Sequence, residues 1–315
     1  MDFTVLTAGK DDNDRRLDRV IRKFVAGSNL NGIYKAMRKG LVKVNDKKCS
    51  CDTRIFAGDS IKIATFLLEN NSASPEISET CDFVLPIVYK NDHLLFINKP
   101  YDKTVHGSPD SLDKIVQEFY KNNSSQSSLS FKSGPLHRLD RKTSGLLAFS
   151  WDLQGARWFS QNIATHLIQK EYVAILTGLL DKKEEWIDYI EKDDSFRENN
   201  VFHTVIASND SDKGKYAHTT AEPLGYGKYK EIPFTYAKIL ITTGRTHQIR
   251  SQASLHGYPL LGDTAYGAKK IECKQDFFLH AHKMIFPQEN PVELPSLIEC
   301  PLPKPFLDFL EKHSF

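Results

Sequence analysis

The sequence predicts an α+β chain in two parts. A small α/β module occupies residues 1–66, and a large domain over 82–315 is built on a mixed, mainly antiparallel sheet with flanking helices and loops. Three observations carry this reading. Between Arg15 and Arg54 twelve Lys/Arg stand against three Asp/Glu, a local charge of +9, so the remainder carries −7 within a total of +2. Residues 67–81, LLENNSASPEISETC, are polar, rich in Ser, Asn and Glu, and lack any apolar period, which marks a linker. Beyond them short β-like runs dominate and helical stretches are scattered.

In the module, Leu17, Val20, Ile21, Phe24 and Val25 recur at the spacing of one helical face. Asp14 is placed to cap that helix, Arg15, Arg16, Arg19, Arg22 and Lys23 take its other faces, and Asp18 reads as a solvated residue of the first turn. A second helix is expected over Gly32–Arg38, ended by Gly40. LVKVND then alternates and turns like a strand entering a hairpin, and DSIKIATF reads as a closing strand. So concentrated a positive charge predicts a polyanionic partner; the alternative is a merely solvated basic surface.

In the large domain, DFVLPIVYKNDHLLFINKP holds two β-rich runs around a turn at Asn91-Asp92. GLLAFS, EYVAIL, AKILITT and KMIFP follow as strands, with helices near Ser111–Tyr120 and Gly155–Gln161. The polar segment near 193–214 carries no clear pattern. With 40% hydrophobic and 26% charged residues, the composition is that of an ordinary soluble globular protein and excludes an intrinsically disordered one. The five cysteines form no CxxC pair, as expected of reduced intracellular thiols. No apolar run approaches the ~18 residues of a membrane span, and no signal peptide is expected at the N-terminus, so a cytoplasmic, monomeric protein without membrane contact is expected.

The tetrapeptide RLDR occurs twice, at 16–19 and 138–141. The second copy cannot continue a helix, because Gly134-Pro135 precede it and Thr143-Ser144-Gly145 follow. Asp140 therefore sits on a loop before a buried strand, where a rigid scaffold can present it. His137, Arg138, Arg141 and Lys142 surround it, and such a setting favours an ionised carboxylate, competent as nucleophile or base. The competing reading is a structural ion pair. Separate words lie far away in sequence: NKP (Asn98, Lys99, Pro100), QKEYVAIL with Lys170 and Tyr172, GRTHQIR with Arg245 and Arg250, HGYPLLGD with Asp263, and LHAHKMIF with His280 and His282.

In this order, together with HRLDRKTSGLL, these words resemble the RluA-type pseudouridine synthases, which isomerise uridine to pseudouridine within RNA. The resemblance covers residues 82–310. "RRLDRVI", "IYKAMRKGLVKVNDKK" and "AGDSIKI" resemble the RNA-binding module of ribosomal small-subunit protein four, a module that commonly precedes such a domain. The resemblance implies that Asp140 is the catalytic carboxylate. It implies that Tyr172 stacks on the extracted uracil and can relay a proton, and that Arg250 pairs with Asp140, with Arg245 as the second choice. Arg138 would enter the RNA stack. Arg141, Lys170, Arg245, Arg16, Arg19, Lys35, Arg38 and Lys39 would contact RNA. His137, His247, His256 and His280 would pack or hydrogen-bond, and Asp263 would end a turn. No metal and no organic cofactor is implied; His280 and His282 with Cys273 fit no usual zinc spacing. Ser251-Gln252-Ala253-Ser254 departs from the family pattern after GRTHQIR and is expected to alter RNA contacts. The implied substrate is large-subunit ribosomal RNA. The competing expectations are a transfer RNA substrate, an inactive RNA-binding assembly factor, and a glycoside hydrolase, which would need a second carboxylate beside Asp140.

Overall fold

The computed structural model describes residues 2–22, 24, 30–69, 83–124, 128–192, 205–212 and 214–313. The chain divides into two compact units. The first takes Met1–Leu85 with Val116–Ser133 and Asp152–Gln154; the second takes Pro86–Ile115, Gly134–Trp151 and Gly155–Phe315.

In the first unit the strands Phe3–Thr7, Ser60–Ala64, Val42–Val44 and Lys47–Lys48 pair antiparallel in that order. Helices Leu17–Ile21 and Leu30–Arg38 bury Leu17, Val20, Ile21, Ile33 and Met37 with Ile61 and Ile63 of the sheet. Val25 and Lys23 lie outside the described residues. Two expectations are corrected. Asp14 does not cap the first helix: it stands at φ +58° and binds Arg54, while Arg16 holds the N-cap position. Asp18 is not solvated but buried, held by Arg16 (3.2 and 2.9 Å) and by the Tyr34 hydroxyl (3.2 Å). Burial pushes its carboxyl up, but these hydrogen bonds outweigh burial and hold it below the ordinary range. The first RLDR is thus a folding element, its aspartate fastened by its own first arginine.

Two buried aspartates explain why segments from inside the large domain join this unit. Asp12 accepts the N–H groups of Leu129 and Ser130 (2.8 and 2.9 Å), and Asp11 that of Leu153 (3.2 Å). At the end of the module, Phe66–Glu69 form a short helix, so the polar stretch begins at residue 70; residues 70–82 lie outside the described ones.

The second unit is built, among the described residues, on a ten-stranded sheet. Its order is Val205–Ser208, Glu184–Lys192, Lys215–Tyr229, Ile232–Ile241, Gln169–Thr177, Leu279–Ile285, Ser144–Ser150, Leu94–Lys99 and Ile87–Lys90, with Leu297–Glu299 added beside Leu279–Ile285. Every pairing is antiparallel except that of Ser144–Ser150 with Leu279–Ile285. Leu94, Leu95, Phe96, Ile97 and Leu146, Leu147, Ala148, Phe149 are wholly buried, which is why these strands read as unbroken apolar runs. The expected helices are present: Leu112–Asn123 gives this unit only its first turn, up to Ile115, and Leu153–Ala164 belongs to it from Gly155 onward; Gln248–Leu255 and Lys304–His313 are added. Of the polar segment near 193–214, Val205–Ser208 forms an edge strand; residues 193–204 and 213 lie outside the described ones.

Gly145 opens the strand after the Asp140 loop at φ +111°, and a Cβ there would lie 2.3 Å from the Ala281 carbonyl oxygen. Only glycine admits the parallel strand this closely. Gly145→Ala is expected to destabilise the protein by more than ~1 kcal/mol, seen as a lower midpoint in chemical denaturation. An unchanged midpoint would contradict the close approach.

Candidate active site

The loop 136–143 is shaped by three anchors. The His137 Nε2 accepts the Ala148 N–H (3.0 Å), and its ring stacks on Phe159 at 6.1 Å. Burial, then the nearby Lys170, push its pKa down to about 3, so the ring is neutral, as an accepting nitrogen requires. Leu139 is buried. Lys99 of NKP is wholly buried and donates to the carbonyls of Pro100, Lys103 and Arg141 (2.9, 2.7 and 2.8 Å). It fixes the backbone one residue past Asp140, and Asp140 is left partly exposed above it, its side chain 20% accessible.

Facing this loop, Lys170 and Tyr172 lie two residues apart on the strand Gln169–Thr177, hence on one face. Burial, reinforced by the Asp140 charge, pushes the Tyr172 phenol well above its ordinary pKa. Its hydroxyl is a proton donor at neutral pH and no base. The third wall is the segment 243–250. Gln248 is buried and clamps it: Oε1 accepts the Thr243 hydroxyl (2.8 Å) and the Arg245 N–H (3.0 Å), while Nε2 donates to the His218 carbonyl and the Thr219 hydroxyl (both 3.0 Å). One turn later Gln252 accepts from Thr219 (2.6 Å) and donates to the buried Asp188 (2.6 Å). Part of the SQAS departure is therefore structural, a clamp between helix and sheet.

His247, at φ +50°, begins the helix and turns Nε2 toward Asp140 Oδ2 at 3.7 Å. The Tyr266 hydroxyl accepts the Val205 N–H (3.0 Å) and shares a hydrogen bond with His247 Nδ1 (2.9 Å). Burial lowers the His247 pKa despite Asp140, which favours the neutral ring.

Asp140, Tyr172, Arg250, Arg138, Lys170 and Arg245 all line one cavity of about 510 Å³, whose apolar side includes Leu136, Ile241, Ile249 and Leu279. That size suits a nucleoside-sized ligand. Two assignments need correction. Arg250 does not pair with Asp140: its guanidinium makes a bidentate pair with Asp263 (2.6 and 2.8 Å) between the rings of Tyr266 and Phe277. Arg245, the second choice, donates to the Tyr216 carbonyl instead (3.0 Å). Arg141 stands outside this cavity, exposed and bound to Asp102, which leaves its expected RNA contact untouched. In the first unit Arg16 is engaged with Asp18 and Asp52, whereas Arg19, Lys35, Arg38 and Lys39 are exposed. His280 is buried against Ser144 (2.9 Å), and His256 stacks on Trp186 and binds Asp188.

An acid, a phenol donor and cations around a nucleoside-sized, half-apolar cavity are the features of an enzyme acting on a polyanionic, ring-bearing substrate. The profile described as RNA pseudouridylate synthase matches residues 93–255, 163 of the 315 residues, and the chain belongs to that family; it is an RNA pseudouridine synthase. Ribosomal large subunit pseudouridine synthase C of Escherichia coli O6:H1 is 26% identical over 320 aligned residues, covering 96% of this chain and 94% of that protein. The protein of the same name from Vibrio vulnificus is 25% identical over 303, covering 92% and 91%. Among solved structures, Human RNA Pseudouridylate Synthase Domain Containing 1 shares the fold with a TM-score of 0.58 at 24% identity, over 73% of this chain and 88% of that one. No helix among the described residues is long and apolar enough to cross a membrane.

Proposed function

We propose that this enzyme isomerises specific uridines of large-subunit ribosomal RNA, with Asp140 as the catalytic carboxylate. The observation that carries the mechanism is the placement of Asp140, the carboxylate lining the cavity, opposite Tyr172 and beside the His247 Nε2. Asp140 either attacks the anomeric carbon or removes a proton from the adjacent sugar carbon; Tyr172 stacks on the base and donates from its hydroxyl. No metal or organic cofactor takes part. The substrate rests on the curated relatives, whose names specify the large ribosomal subunit. The test is to incubate the protein with an unmodified large-subunit ribosomal RNA transcript in chelator and map pseudouridine. Modification of a transfer RNA transcript instead would refute the substrate, and no pseudouridine in either would refute the reaction.

We also propose that residues 1–66, like the module of ribosomal small-subunit protein four, grip the RNA backbone through Arg19, Lys35, Arg38 and Lys39, with Arg16 shaping the surface through Asp18. The exposed rim arginines Arg138 and Arg245 serve the nucleotides at the cavity. Replacing the four module cations by Gln is expected to weaken binding and to flatten the salt dependence. The slope of log K against log salt should fall by ~0.7 for each single-strand phosphate that the variant no longer neutralises. A slope equal to that of the wild type would remove the module from the RNA interface.

A further inference from the structure

Lys170 is 8% exposed and lines the catalytic cavity, yet among the described residues its ammonium finds no carboxylate and no hydrogen-bond acceptor. A buried charge is ordinarily paired. The fold makes room for this one: Gly244 lies across from it, and a Cβ there would stand 3.2 Å from Nζ. Lys170 also shares a strand face with Tyr172, the residue proposed to stack on the base. Such a site suits an anion that the substrate brings.

We infer that Lys170 is a further catalytic residue, whose ammonium stabilises the uracil anion formed when the bond between base and sugar breaks. This rests on the reaction proposed above. Breaking the N1–C1′ bond leaves its electron pair on the base, spread over N1, O2 and O4. The sugar is meanwhile satisfied by a bond to the Asp140 carboxylate or by yielding a proton to it. When C5 bonds to C1′, Asp140 is restored and the C5 proton passes to N1. Lys170 is neither consumed nor deprotonated. A charge fixed in advance where negative charge develops, in a site that excludes water, acts on the transition state more than on substrate binding.

The surrounding charges bear on the pH dependence. His137, Arg138 and Asp140 face the cavity from one loop, His166 from beyond the helix Leu153–Ala164, and Arg245, His247 and Arg250 from the opposite wall. Burial lowers the Lys170 pKa to about 8, so the ammonium prevails at neutral pH and is lost above it.

The full-length enzyme and the unmodified large-subunit transcript provide the test. Lys170→Met is expected to lower kcat by ~10²–10³-fold with Kd for RNA unchanged, the scale of losing one preorganised stabilising group. Because an unpaired buried charge is removed, its Tm should rise, a signature that a merely structural lysine would not give. Lys170→Arg, which keeps the charge, should retain at least a tenth of kcat, and it carries the test if the Met variant does not fold. Wild-type kcat/KM should fall as pH rises through about 8. Wild-type kcat in Lys170→Met overturns the inference. So does a raised Kd at unchanged kcat, the mark of a phosphate contact. So does a kcat/KM that rises through the same pH, the mark of a base. A wild type that forms no pseudouridine refutes the proposed function itself, and this role with it.

Discussion

Asp140→Asn is expected to abolish pseudouridine formation while leaving RNA binding within about twofold of wild type. The amide has nearly the shape of the carboxylate, so the loop pinned by Lys99 and by the His137 and Leu139 side chains keeps its conformation. The amide oxygen neither attacks an anomeric carbon at a useful rate nor accepts a proton from a sugar carbon, so either route through this residue closes. Removing a group that acts as base costs ~10²–10⁴ in rate, and removing a nucleophile costs at least as much. Binding survives because its electrostatic part comes from cations. Among these, the exposed rim arginine Arg138 is freed of a neighbouring negative charge, so affinity should hold or tighten slightly. Single-turnover kinetics and a binding titration on one RNA transcript separate the two effects. An Asn variant that retains a tenth of the wild-type rate would return Asp140 to the rank of a structural residue.

The parts of this site that the sequence made legible share a physical cause. Leu146–Phe149 and Leu94–Ile97 are buried on both faces, so they show as apolar runs, and the glycines and proline around residues 134–145 mark the loop between them. Asp140 was legible as a loop residue among cations, and its catalytic role came from the resemblance carried by the separate words around it. The helix Gln248–Leu255 was hidden for the opposite reason. Gln248, Arg250, Ser251 and Gln252 are polar yet buried beside Ile249 and Ala253, so its apolar signal is short, and much of its role is hydrogen bonding. A further local signal was the pair of glutamines four residues apart, a spacing that places both on one helical face. Asp18 misled by a similar route, since a first-turn aspartate is commonly solvated, and only the three-dimensional neighbourhood of Arg16 and Tyr34 accounts for its burial. Segments 116–133 and 152–154 are held in the first unit by Asp12 and Asp11, which accept backbone N–H groups 117 or more residues away, a range that no local pattern reports.

The pairing of Arg250 is where sequence expectation and geometry diverge most, and a coupling experiment decides between them. Arg250 and Asp263 are both buried, joined by two hydrogen bonds, and the guanidinium lies 4.7 and 4.6 Å from the ring centres of Tyr266 and Phe277. Removing one member of such a pair strands the other charge without water, which costs ~3–5 kcal/mol. Arg250→Met should therefore lower stability by that amount, even though a Met side chain still fills the space between the rings. Asp263→Leu should do the same from the other side. The double variant Arg250→Met/Asp263→Leu strands no charge, so its destabilisation should be much smaller than the sum of the two single effects, and smaller than either one. Chemical denaturation of the four proteins gives the coupling energy directly. The parallel cycle with Asp140→Asn should show little coupling in stability, because Asp140 is partly solvated and its neighbour at 3.7 Å is the His247 imidazole, whose pKa burial lowers. Additive effects in the Asp263 cycle, with strong coupling in the Asp140 cycle, would restore Arg250 as the direct partner of the catalytic acid. The geometry predicts the reverse: Arg250 acts on Asp140 through space, from a position that Asp263 holds fixed.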